Sequence, residues 1–175
     1  MNGTFDLRAG ETHIEVYKFR SGAIVLVTLL VLVLQALLRV YFPRAEMLDL
    51  PLLVTIYFGL SRRNPSSGLL LGTVIGLLQD SLSKAPLGLY GIAKTLIGYL
   101  ASSIGGRLDT EHPASRFALT AVFFAMHQGI IWLIRRLLLG QPEMWFNLRL
   151  GAAALINGGV AVFLFLLLDR LRARS

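Results

Sequence analysis

The residues of this chain best able to do chemistry gather between positions 79 and 94: Gln79-Asp80-Ser81-Leu82-Ser83-Lys84, then Pro86-Leu87-Gly88-Leu89, then Lys94. A carboxylate and ammonium groups this close in sequence could pair, hold an anion, or act as acid and base. Asp80 follows a glycine-rich apolar run, and a helix C-terminus disfavours a carboxylate, so it needs a cationic partner. Lys84 is the local candidate. Lys94 is the more consequential one, because it lies inside the next apolar run, where an ionisable group must pair or face water. The expectation is an Asp80–Lys94 pair locking two successive helices, ahead of a ligand or ion site.

Other chemistry finds little support. Ser81 and Lys84 fit the Ser-x-x-Lys pattern of serine acyltransferases, but the accompanying Ser-Asp-Asn and Lys-Thr-Gly elements are missing. Neither Gly-x-Ser-x-Gly, His-Glu-x-x-His nor a phosphate-cradling Gly-rich loop occurs. The 3 histidines, His13, His112 and His127, are far apart and lack a carboxylate cluster, which argues against a metal site. His127 with Gln128 is expected to hydrogen-bond across helices. With 0 cysteines, disulfides, iron–sulfur clusters and thiol chemistry are excluded. No catalytic residue and no cofactor is nominated.

The elements that must position these residues are apolar runs at 21–42, 48–60, 67–78, 86–104, 117–138 and 148–168. The first and the last two approach the roughly 20 residues a helix needs to cross about 30 Å of hydrocarbon. The other three are broken by Gly and Pro, as spans buried among other helices can be. An all-α integral membrane protein is therefore expected, a bundle of six transmembrane helices. It divides into an N-terminal tail (1–20), a transmembrane domain (21–169) and a basic C-terminal tail (170–175). The first run is too long for a signal peptide and lacks a cleavage signal, so it reads as a retained span. The run 48–60 reaches only about 20 Å and must be short, tilted or shielded. Asp49 is placed to cap it, with Pro51 in its first turn. Gly68, Gly72 and Gly76, four apart, make a smooth face for helix packing or for a partner's helix.

The net charge of +7 is distributed as a topology signal. With the N-terminus cytoplasmic, ten of the 17 Lys and Arg residues lie on the inner side, six on the outer side, and Lys94 within a span. The positive-inside rule then places both termini in the cytoplasm, against the pull of Arg135 and Arg136. Arg62, Arg63, Arg170, Arg172 and Arg174 are candidate contacts for anionic lipid headgroups. Spread over several short loops, the charge argues against nucleic-acid binding. An aromatic anchor is expected around Trp145.

Asp49-Leu50-Pro51-Leu52-Leu53 through Tyr57-Phe58-Gly59-Leu60, followed by Gly72, Gly76, Gln79-Asp80 and Pro86-Leu87-Gly88-Leu89, resembles the bacterial rod shape-determining protein MreD family. The specific part of the resemblance covers residues 48–99, and Asp80, Pro86 and Gly88 match the family motif. The resemblance implies a non-enzymatic inner-membrane component of the cell-elongation machinery. Such proteins pair with the bitopic MreC and act alongside MreB, RodA and a class B penicillin-binding transpeptidase in lateral peptidoglycan synthesis. It also implies a fold like the S subunit of energy-coupling-factor transporters. The competing function is accordingly a substrate-binding S-type subunit of a vitamin transporter, with an outward pocket near Lys84, Trp145 and Arg149. The Ala-x-x-x-Ala docking face usual in such subunits is missing from 21–42. The partner surface is expected on the glycine face or on the first and last helices, and a homodimer stays open.

Overall fold

The computed structural model describes residues 21–42, 47–83, 85–108, 112–141 and 148–170. They form six helices: α1 (Ser21–Tyr41), α2 (Leu50–Arg62), α3 (Pro65–Leu82), α4 (Leu89–Ile104), α5 (Pro113–Leu138) and α6 (Leu148–Asp169). No strand occurs among the described residues. α1, α5 and α6 are long and apolar enough to cross a membrane. The N-terminal tail, Lys84, the loop around Trp145, and Arg172 and Arg174 lie outside the described residues.

Several starts are written locally. Asp49 caps α2 by accepting from the Leu52 N–H at 3.0 Å, with Pro51 in the first turn. Asn64 caps α3 by accepting from the Ser66 N–H at 3.1 Å, with Pro65 first in the helix. His112 Nδ1 accepts from the Ala114 N–H at 3.3 Å ahead of Pro113, which opens α5. Each cap satisfies a donor that the helix leaves orphaned, at a spot where Pro has no N–H to lose. Arg63 ends α2 in the left-handed region, at φ 53°.

α2 is the axis of the bundle. Every residue from Leu50 to Ser61 is buried, a helix apolar on all sides and enclosed by its neighbours. α1 packs on α2 and α3, whereas α4, α5 and α6 close the remaining sides of α2. Tyr57 and Phe165 meet at 5.1 Å between ring centroids and tie α2 to α6. α5 and α6 pair where Gly158 leaves room for the Phe117 ring. The outward residues of α1, among them Val25, Leu26, Leu29, Leu30 and Val33, are exposed, as are Leu155, Phe163, Leu166 and Leu167 of α6.

α3 and α4 form a tight antiparallel hairpin. A Cβ on Gly68 would collide with Ser102 and the Gly98 carbonyl, one on Gly72 with the Lys94 carbonyl, and one on Gly76 with the Tyr90 carbonyl. Glycine lets the two backbones approach this closely. α3 is also longer than its apolar run. It starts at Pro65 and continues to Leu82, so Gln79 and Asp80 are helical and buried, where a connecting loop was expected. Both polar side chains face the bundle, which is why hydropathy alone ends the helix too soon.

Candidate functional site

At 13 residues and 1.5 Å per residue, α2 covers about 20 Å of a hydrocarbon slab about 30 Å thick. The backbone leading into it therefore sits inside the bundle, where unsatisfied N–H and C=O groups are costly. Two side chains from flanking helices satisfy it. From α1, the Gln35 amide donates to the Leu48 carbonyl at 2.9 Å and accepts from the Leu50 N–H at 3.0 Å. From α6, Asn157 accepts from the Asp49 N–H at 3.0 Å and donates to the Met47 carbonyl at 2.6 Å. Gln35 and Asn157 are both buried. The segment is thus clamped from both sides like a strand in a sheet, by amides in place of a neighbouring backbone.

Asp49 does more than cap. Its Oδ1 takes the Leu52 N–H, and its Oδ2 lies 2.7 Å from Lys94 Nζ of α4. Lys94 Nζ is also 3.3 Å from His127 Nε2 of α5. With Lys94 as an ammonium, which has only donors, Nε2 accepts and the ring proton falls on Nδ1, a buried nitrogen with no hydrogen-bond partner among the described residues. Tyr90, one turn before Lys94, has its ring centroid 5.2 Å from Nζ and stacks on the His127 ring at 6.2 Å. Arg39 of α1 lies 5.6 Å from the same tyrosine centroid. α2, α4 and α5 therefore meet at one ion pair, bracketed by the α1 and α6 amides. Lys94 and His127 are 0% exposed, so no substrate reaches their nitrogens from solvent. Chemically the arrangement is a lock, because removing either charge leaves the other stranded in a medium that cannot solvate it.

The expected Asp80–Lys94 pair is not formed. Asp80 Oδ2 accepts from the Gly88 and Gly91 N–H groups at 2.9 Å each, and Oδ1 accepts from the Tyr90 N–H at 2.9 Å. Its partner is the positive end of the α4 dipole together with the orphan donors of the first turn. Gly88, the residue before α4, has φ +94°, a conformation open to glycine, and offers no side-chain cap of its own. Asp80 supplies that cap across the hairpin. Gly76, Asp80, Pro86 and Gly88 thus belong to one device: close approach of α3 to α4, a carboxylate cap, and the turn that presents the N–H groups. Pro86 contributes its carbonyl, which accepts from the Leu89 N–H at 3.2 Å. Gly68, Gly72 and Gly76 are covered by α4, so the structure puts them to use in helix packing, and that face is not open to a partner.

A second polar cluster closes the other end. Arg116 near the start of α5 pairs with Asp169 at the end of α6 at 2.7 Å, and the Tyr57 hydroxyl donates to Asp169 at 2.9 Å. Arg62 and Arg63 are partly exposed at the end of α2, and Arg170 is exposed beyond α6. Among the described residues no group of His, Asp and Glu could hold a metal ion. Of the residues that build the centre, the sequence marks Lys94 as the buried cation and Asp49 as a cap. It gives Gln35 and Asn157 no structural task. The available signal was the brevity of the run 48–60, which forces unsatisfied backbone into the membrane.

A helical bundle of this hydropathy, with a buried ion pair and two buried amides holding its helices together, defines an integral membrane protein. The family model of rod shape-determining protein MreD matches residues 18–172, nearly the whole chain, and the chain belongs to that family. Comparison with curated proteins and with solved structures finds no match.

Proposed function

We propose that the protein is a non-enzymatic scaffold in the bacterial inner membrane, with both termini cytoplasmic, that binds MreC in the cell-elongation complex and helps position lateral peptidoglycan synthesis. The family match carries this reading, since rod shape determination is what the family is named for. The burial of Lys94 and His127 supports the non-enzymatic part, because an acid–base pair must reach its substrate. With the glycine face covered by α4, the surfaces left for a partner's single helix are the exposed sides of α1 and α6. In lipid such contacts rest on packing and not on the hydrophobic effect, so shape must supply specificity. MreB, RodA and the class B transpeptidase are the further partners of the reading. The basic residues Arg62, Arg63 and Arg170 face the cytoplasmic leaflet in it, where each adds about 1 kcal/mol toward anionic lipid.

Single-cysteine variants on α1 and α6, made in a chain that has 0 cysteines, test the reading by cross-linking in native membranes. Cross-links to a single-span partner from either face support it. A vitamin-sized molecule surviving purification, with no protein partner captured, would favour the transporter-subunit function. Reporter fusions at residues 64 and 112 that land in the periplasm would overturn the orientation.

A further inference from the structure

On the seam between α1 and α3, Gln79 is 2% exposed, and neither its Nε2 nor its Oε1 has a hydrogen-bond partner. A buried amide with both atoms unpaired is uncommon and costly, and it points to something that completes it. Gln79 lines a cavity of about 10 Å³ with Gln35, Arg39 and Leu82, room for one oxygen atom. Gln35 cannot complete it, since its own amide is committed to the Leu48 carbonyl and the Leu50 N–H. Arg39 sits at the same cavity, half-buried, and takes part in neither ion pair found among the described residues. The described acids of this end are engaged elsewhere: Asp49 by Lys94, and Asp80 by the α4 N–H groups. Among the described residues, the seam therefore holds a positive charge without an anion and an amide lacking both a donor and an acceptor. Leu37, Leu78 and Leu82, all exposed on its flanks, are suited to acyl chains.

We propose that this seam binds an anionic phospholipid with a hydroxylated headgroup, of the phosphatidylglycerol type. Its phosphate sits at the mouth of the cavity, where the Arg39 guanidinium donates to it. A headgroup hydroxyl enters the cavity and donates to Gln79 Oε1. A guanidinium suits phosphate geometrically, and charge-assisted hydrogen bonds are the stronger kind. The lipid is the source favoured over a soluble phosphate ester because the cavity opens between two helices with apolar flanks.

The test uses the full chain purified in mild detergent, with thermal unfolding and native mass spectrometry read as lipid is added. The lipids compared are phosphatidylglycerol, phosphatidylmethanol, which keeps the charge and lacks the hydroxyl, and phosphatidylethanolamine; glycerol phosphate is the soluble arm. Phosphatidylglycerol should be retained about tenfold more tightly than phosphatidylethanolamine, the factor expected from one charge-assisted contact. Gln79→Leu should reduce it to the level of phosphatidylmethanol, and Arg39→Gln should abolish the preference for anionic lipid. Helical content is checked first. If Gln79→Leu does not fold, Arg39→Gln and the phosphatidylmethanol comparison carry the test. Equal retention of all lipids, an undiminished preference in both variants, or an equal shift from glycerol phosphate would overturn the proposal, the first two pointing to a bound water alone.

Discussion

Replacing Lys94 with methionine removes the only ammonium that meets Asp49 among the described residues and leaves a carboxylate 10% exposed among helices. At the observed 2.7 Å and an effective dielectric near 20, the lost attraction is about 6 kcal/mol. Some of this is offset because one ion no longer has to be desolvated, so the net loss should be about 3–5 kcal/mol. Asp49→Asn preserves the α2 cap and leaves the ammonium without a carboxylate partner, against the His127 and Tyr90 rings, so its cost should be similar or somewhat smaller. The double variant carries neither charge and should lie within about 2 kcal/mol of the original protein. The two sites would then be coupled by several kcal/mol. Unfolding free energies from steric trapping in bicelles give all four corners of this cycle. A second cycle on Asp80→Asn and Lys94→Met should show a much smaller coupling, about 1 kcal/mol or less, because Asp80 is bonded to backbone N–H groups of α4 and reaches Lys94 only by longer-range attraction. Additivity in the first cycle with the larger coupling in the second would refute the assignment of the ion pair.

Further outcomes follow from the same geometry. Asp80→Ala strips three N–H groups at the start of α4 of a charged acceptor and should cost about 2–4 kcal/mol, with Asp80→Asn recovering about half, measured in the same unfolding assay. Gly72→Ala forces a Cβ into the Lys94 carbonyl and should destabilise by about 3 kcal/mol or more, whereas Gly159→Ala meets nothing within 4 Å and should be neutral or stabilising by up to about 1 kcal/mol. Asn157→Leu leaves the Asp49 N–H and the Met47 carbonyl unsatisfied; a loss of about 2–4 kcal/mol and faster deuterium exchange at residues 47–50 are expected. Tyr57→Phe removes one hydrogen bond to Asp169 and should cost about 1 kcal/mol, with helical content by circular dichroism unchanged.

The local features of this protein were written in its sequence. The apolar runs set the helices, Asp49, Asn64 and His112 with their following prolines set where three of them begin, and the glycine spacing set which side of α3 could approach a neighbour. These depend on periodicity and on groups a few residues apart, so one chain suffices to read them. What lay beyond it was the choice of partners. Lys94 is nearer in sequence to Asp80, yet it bonds Asp49 across 45 residues, because the antiparallel hairpin aims Asp80 at the open end of α4 and α2 brings Asp49 to the face of Lys94. Gln35 and Asn157 gained their roles in the same way. A short central helix leaves backbone groups inside the membrane, and which side chains reach them is decided only when the other five helices have packed around it.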